Sequence, residues 1–201
     1  SERFMSMASP HLGAVRSTIT PLDYEATIVA VASVDADVRN GNVARYQGFC
    51  SKHVRCGKRY RRGGLVFLRA STVGSKVEFS YTSRHEFLLG GEAIGRTRIH
   101  KGKQSVGEEA SRKVLPNQQF MVEKLVHVAT SRDSDGLPGG DAQEEVRSSF
   151  SQARRRHVAA WKRLWRRADV FVDGDRFTQR LLRLHAYHLL CTASEHNRHI
   201  D

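Results

Sequence analysis

Trp161–Leu190, WKRLWRRADVFVDGDRFTQRLLRLHAYHLL, carries two tryptophans, seven Lys and Arg, two histidines and a short acidic turn. Read for charge alone it could be a helix that lies on nucleic acid. Read for pattern it is two amphipathic elements joined by Asp173-Gly174-Asp175. The pattern extends upstream: Val146, Phe150, Ala153, His157, Trp161, Leu164 and Ala168 follow spacings of three and four, with Trp165 widening the stripe. Asp141, with Glu144 three residues on, gives a capping-box-like start, so the spacing predicts one helix from Asp141 to about Ala168. Its first turn is acidic and its last (Arg163, Arg166, Arg167) basic, as the helix dipole favours. An extended piece, Asp169–Val172, and the turn follow. A second helix then runs from about Arg176 to Thr192, with Phe177, Leu181, Leu184 and His188 on one face.

Before this helical half the chain changes character. Ser134–Gly140, SDGLPGG, is a linker, and the residues ahead of it read as strands. Phe4–Ala8, Val15–Thr20, Tyr24–Val34 and Phe120–Thr130 are rich in β-branched and aromatic residues. Tyr24–Val34 is apolar on both parities, as expected of a strand inside a layered sheet. Asn40-Gly41-Asn42 is a turn signal. Leu65–Arg69 and Lys76–Ser83 read as a pair around Thr72–Ser75, and Gly90–Leu115 as hairpins or a mobile loop. Antiparallel strands first and long helices after predict an all-β module followed by the entry to a helical one.

The 201 residues carry a net charge of +12 with 39% hydrophobic content, low for a globular chain, so a partner could cover part of the apolar surface. Twenty-one acidic residues are spread among the cations. Three cysteines (Cys50, Cys56, Cys191) form no even disulfide framework and suit a reducing cytoplasm. No apolar run approaches the roughly 20 residues that span a bilayer. No secretory leader is read in SERFMSMASPHL, which enters a strand pattern at once, so the chain reads as part of a longer one.

Candidate chemistry is sparse. Cys50, His53 and Cys56 offer three soft ligands, but no second pair completes a zinc site. Lys52, Arg55, Lys58, Arg59, Arg61 and Arg62 form the densest basic cluster, expected as a solvated hairpin tip; Tyr60 is its one stacking aromatic, too little for single-strand binding. Gly90-Gly91 and Gly139-Gly140 match no phosphate loop. His185 and His188 share a helix without a carboxylate at helical spacing. Paired carboxylates for glycosidic chemistry are not evident, and a Ser/His/Asp set cannot be argued from spacing because such sets assemble in space.

One resemblance goes further. Trp161, Leu164, Trp165, Gly174, Asp175, Gln179, Leu182, Arg183, Tyr187, His188, Leu189 and Leu190 match a W..LW…GD…Q..LR…YHLL pattern. This resembles the linker and first catalytic-domain helix of glycoside hydrolase family 65, whose members include trehalose, maltose, kojibiose and nigerose phosphorylases. Arg3–Tyr46 agrees independently, with RF.S…PHL…R…TPL and a D..V.N turn. The resemblance implies a mixed fold: part of an N-terminal antiparallel β-supersandwich (1–133), a linker with its helix (134–172) and the first helix of an (α/α)6 barrel (173–201). It implies a parent that uses phosphate to cleave an α-linked disaccharide, without metal or organic cofactor, as a homodimer in the cytoplasm. The family's catalytic and phosphate-binding residues would lie beyond Asp201, so no catalytic, cofactor-binding or metal residue is assigned to this chain. In this reading Trp161 and Trp165 pack the linker helix, Tyr187 and His188 pack the next one, and the arginines are a solvated face. Two other readings stay open, a non-catalytic sugar-binding β-sandwich and a basic nucleic-acid binder.

Overall fold

The computed structural model describes residues 1–39, 52–133 and 141–192. Ten strands come first: β1 (Glu2–Met5), β2 (Leu12–Ile19), β3 (Ala26–Asp35), β4 (Val54–Arg62), β5 (Leu65–Thr72), β6 (Glu78–Leu89), β7 (Glu92–Ala93), β8 (Arg98–Lys101), β9 (Ser105–Val114) and β10 (Phe120–Thr130). Three helices follow: α1 (Asp141–Arg147), α2 (Phe150–Ala168) and α3 (Arg176–Thr192). Every strand pairing is antiparallel. A seven-stranded sheet runs β1-β2-β10-β6-β5-β4 with β7 on β6, and a three-stranded sheet runs β3-β9-β8.

The layers follow from alternation. On β5, Leu65 and Phe67 point to one side, where Leu12, Ala14, Leu125, Val146, Phe150 and Ala153 form a core with α1 and α2. Val66, Leu68 and Ala70 point to the other, against Val34, Ala36 and Val106 of the smaller sheet. Ala32, Phe87, Ala110, Val114 and Phe120 continue that second core. The seven-stranded sheet is thus the middle layer. The strand apolar on both faces is β5 and not β3: on β3 the even positions turn inward, while Val29 and Val31 are 60% and 46% exposed.

Several sequence expectations shift. β1 ends at Met5 because Ser6 begins the return, its amide donating to Leu12 O at 2.8 Å. The Lys52–Arg62 cluster is no hairpin tip but the edge strand β4; the tip is Gly63-Gly64, whose φ values of +59° and +74° suit a two-residue primed turn. Gly90-Gly91 makes the same kind of turn between β6 and β7. Gly90–Leu115 contains β9, which pairs with all ten residues of β3. The single helix expected from Asp141 is two: Ser148-Ser149 interrupts it, and Ser149 caps α2 through a capping box with Gln152. The Asn40–Asn42 turn, the Ser134–Gly140 linker and the Asp141 side chain lie outside the described residues. α3 holds its expected bounds, but none of its residues is buried.

Candidate functional site

The helix layer is joined to the sheet by polar contacts as well as by Phe150. Arg16 on β2 reaches Glu123 on β10 (Nε to Oε1, 2.8 Å), donates to Ser151 Oγ on α2, and sets its guanidinium 4.1 Å from the Phe150 ring centre. His11 and His127 stack at 5.0 Å, and Glu145 of α1 accepts from Ser9 Oγ at 2.8 Å while lying 3.8 Å from His127. The Met7 amide donates to Nδ1 of His157 at 3.2 Å, and burial holds that imidazole below its ordinary range. These are seams between layers, closed to a substrate.

Between the sheets lies the arrangement spacing could not reveal. Ser83 Oγ is 2.9 Å from His85 Nε2, and His85 Nδ1 is 3.4 Å from Glu108 Oε2, which is the connectivity of a nucleophile, a base and an orienting carboxylate. The rest of the geometry denies that role. Ser83 is fully buried, and its hydroxyl donates to Leu125 O at 3.0 Å, so it accepts from Nε2–H and no carbonyl carbon can approach. Glu108, 3% exposed, is held by Arg61 Nε at 2.8 Å and Thr97 Oγ1 at 2.9 Å. Burial pushes the Glu108 carboxyl up, but the adjacent His85 ring, the bond from Thr97 and the Arg61 charge outweigh it and leave it below the ordinary range. Burial keeps the His85 imidazole below its usual value. Lys124, also lowered by burial, donates to Ser33 O of β3 at 2.6 Å. The cluster spans β4, β6, β9 and β10 and ties the sheets together.

The basic cluster is half committed to the fold. Lys52 pairs with Asp37 at 2.6 Å, Arg59 donates to Lys103 O at 3.0 Å, and Arg61 serves Glu108. Arg55, Lys58 and Arg62 make no ion pair among the described residues. Tyr60 lies flat on Phe67 (4.9 Å), so one of its faces is already taken. Cys56 Sγ faces the Gly57 and Gln104 carbonyls, Cys50 lies outside the described residues, and no group of three metal-capable side chains occurs among those described. His185 and His188 sit exposed on α3.

Exposed apolar side chains also line α2, α3 and the segment between them. Trp161 stacks on Trp165 at 6.1 Å and on Tyr187 at 5.3 Å, while Phe171, Phe177, Leu184 and Leu189 are each at least half exposed. Asp169 and Arg183 form a two-pronged pair (2.9 and 2.7 Å) that sets α3 against the end of α2.

The molecule is thus an antiparallel two-sheet sandwich continued by helices. The chain belongs to glycosyl hydrolase family 65: the family's N-terminal domain model matches residues 1–164. It is 28% identical, over its whole length, to an uncharacterized glycosyl hydrolase of Mycobacterium tuberculosis, of which it spans 15%. It is 24% identical over its whole length to a kojibiose phosphorylase of Halothermothrix orenii, covering 26% of that protein. A solved structure provisionally assigned as a kojibiose phosphorylase from the human microbiome superposes over 94% of this chain and 24% of its own, with a TM-score of 0.72 at 11% identity. The chain therefore spans about a quarter or less of the relatives it matches. No described helix is long and apolar enough to cross a membrane.

Proposed function

We propose that this chain is the sandwich and linker part of a family 65 enzyme that cleaves an α-linked disaccharide, with phosphate or water as the attacking group, and that it is itself non-catalytic. The observation that carries the reading is the family match across residues 1–164, which covers both sheets and most of α2. Relatives named as kojibiose, trehalose and maltose phosphorylases favour phosphate as the co-substrate. The work of the chain is structural. Its sandwich carries α1 and α2 on a shared core, and the exposed α2–α3 side packs against the catalytic part, α3 being the first helix of an (α/α)6 barrel. The exposed rings there are interspersed with leucines, which suits protein packing better than a flat sugar platform. The boundaries that go with this reading are 1–133, 134–172 and 173–201, in a cytoplasmic homodimeric parent. The test is direct: purified chain is incubated with phosphate and trehalose, maltose, kojibiose or nigerose. Neither glucose nor glucose 1-phosphate should form, and release of either above a buffer blank would overturn the non-catalytic assignment.

A further inference from the structure

The three-stranded sheet turns one face to the seven-stranded sheet and the other outward, and its register says which side chains share the outer face. Even-numbered residues of β3 and β9, such as Ala32, Val106 and Ala110, lie in the cores between the sheets. Val29 stands opposite Ser111, and Arg98 stands opposite Glu109, so these four side chains share the outward face. β8 begins at Arg98, which leaves the flank of β9 beyond Glu109 without a paired strand among the described residues.

A cleft of about 570 Å³ opens on this face around Arg96, Arg98, Glu109, Ser111, Arg112 and Val29, a size usual for small-ligand sites. Its walls are pinned from below. Thr97 sends Oγ1 inward to Glu108 Oε1 at 2.9 Å, and Glu108 is itself held by Arg61, so the segment that carries Arg96 and Arg98 is tied to the interior. Ala36 N donates to Gln104 O, so even-numbered residues of β3 and β9 bond to each other and the odd-numbered carbonyls of β9 point to the β8 side. Arg112 belongs by register to the inward set, but its Nη1 donates to Ser111 O at 2.7 Å. Its guanidinium therefore curls round the open flank and into the cleft.

The cleft is short of negative charge. None of its three guanidiniums makes an ion pair among the described residues, and Arg98 stands opposite Glu109 without coming within ion-pair distance. The arginines that serve the fold join two elements, as Arg61, Arg16 and Arg183 do; Arg96, Arg98 and Arg112 join none. Three guanidiniums against one carboxylate leave a net charge of +2 in one cleft, and a bound dianion would relieve their mutual repulsion. A phosphate monoester carries about −1.5 to −2 near neutral pH, and its oxygens fit the two-pronged guanidinium. Glu109 selects within that class, because it repels a bare phosphate but accepts from hydroxyls carried beside one. Val29, 60% exposed, offers an apolar contact to the C–H face of a ring. No aromatic side chain lines the cleft, so a nucleotide base finds nothing to stack on.

We propose that this cleft binds a phosphorylated monosaccharide, its phosphate held among Arg96, Arg98 and Arg112, its hydroxyls on Glu109 and Ser111, and its ring against Val29. The inference goes beyond the function proposed above and does not rest on it, because every group it uses belongs to the described chain. The three guanidiniums fix the phosphate but not the sugar carbon that bears it, so glucose 1-phosphate and glucose 6-phosphate are both probes. A ligand so placed bridges β3, β9 and the segment before β8, and its binding stabilises the small sheet.

Amide NMR titrations of the intact chain test this with the two hexose phosphates, glucose, inorganic phosphate and AMP. At least one hexose phosphate should saturate below about 10 mM, with shifts centred on Val29, Arg96–Arg98 and Glu109–Arg112. Glucose should not bind, and inorganic phosphate and AMP should bind more weakly than the better hexose phosphate. Arg98→Gln and Arg112→Gln should each weaken that ligand about tenfold or more at unchanged urea midpoints. Arg62→Gln, at a cation of β4 outside the cleft, should leave it unchanged. Glu109→Ala should strengthen inorganic phosphate and narrow the preference for the sugar. Three results would overturn the proposal. One is no saturation by either hexose phosphate. Another is equal weakening by Arg62→Gln and Arg98→Gln, which means diffuse attraction to a basic surface. The third is inorganic phosphate or AMP binding as tightly as the better hexose phosphate, which means that the sugar is not recognised. Family membership and the absence of phosphorylase activity stand whichever result is found, so the two readings fail separately.

Discussion

Replacing Phe150 and Trp165 by alanine, one at a time, separates what anchors the helical half from what merely lies along it. Phe150 is fully buried, opens α2 directly after its cap, meets Phe4 edge-on at 5.5 Å, and carries the Arg16 guanidinium on its ring. Truncating a buried Phe costs about 3–5 kcal/mol, and loss of the edge-to-face and cation contacts moves it to the upper part of that range. Trp165 is only half-buried and touches the ring of Trp161, so its loss in this chain should cost about 1–2 kcal/mol. On the proposed packing against a catalytic part, the same substitution in the longer protein should cost about 3–5 kcal/mol. Urea denaturation followed by circular dichroism resolves the difference: at a slope near 2 kcal/mol per molar, 3 kcal/mol separates midpoints by about 1.5 M. Equal losses, or a larger loss for Trp165→Ala, would mean that the outer aromatic stack and not the Phe150 core holds α2 in place.

Other outcomes follow from single sites. His85 is held below its ordinary value of 6.5, so on acidification the unfolded chain takes up its proton first, and stability present above about pH 6.5 should fall as the pH drops. His157 acts in the same direction, and Glu108, held below 4.5, adds further loss under that pH; denaturation midpoints at several pH values check this, and His85→Gln should flatten the upper part of the slope. Gly107→Ala should cost about 3 kcal/mol or more, because the new Cβ would lie 2.1 Å from the Ala32 carbonyl oxygen, while Gly74→Ala, with open space around it, should change the midpoint little. DNA retention should be weak and indifferent to sequence, with a logarithmic salt slope of about −3, because three of the six clustered cations are already engaged. Tight, sequence-selective retention at physiological salt would refute that.

The parts of the fold legible in the sequence are those where one physical signal dominates. β10 and α3 hold their expected bounds because alternation or helical period runs through them without interruption. β9 was hidden because its inward positions, Val106, Glu108, Ala110, Arg112 and Val114, include a glutamate and an arginine, and hydropathy scores both as solvent. Glu108 can face inward only because Arg61, Thr97 and His85 arrive from other elements, and no local window contains them. The break at Ser148-Ser149 was legible in principle: a serine three residues before Gln152 is the same cap signal that Asp141 and Glu144 offered, and the apolar stripe passing through it masked the interruption. The Ser83–His85–Glu108 cluster had no sequence signal beyond two residues two apart on a strand.

The positive charge that made nucleic acid worth considering has a different cause, and the ion pairs supply it. Arg61 joins β4 to β9 across the sandwich, Arg16 joins β2 to β10 and to α2, Arg154 joins α2 to β1, and Arg183 joins α3 to the end of α2. Each sits where two layers or two elements meet, and each has a planar head able to bond two acceptors at once. A lysine could supply the charge there but not the fork. The cations left over, such as Arg155, Arg163, Arg166 and Arg167, lie on exposed positions of α2, the helix whose opposite side is buried at Phe150, Ala153 and Ala160. A stripe of cations on the solvent side of a docked helix raises the isoelectric point without making a groove, and a groove is what backbone recognition of a polyanion would need. The excess of arginine is therefore a consequence of stacking three layers and finishing the outermost with a solvated helix face.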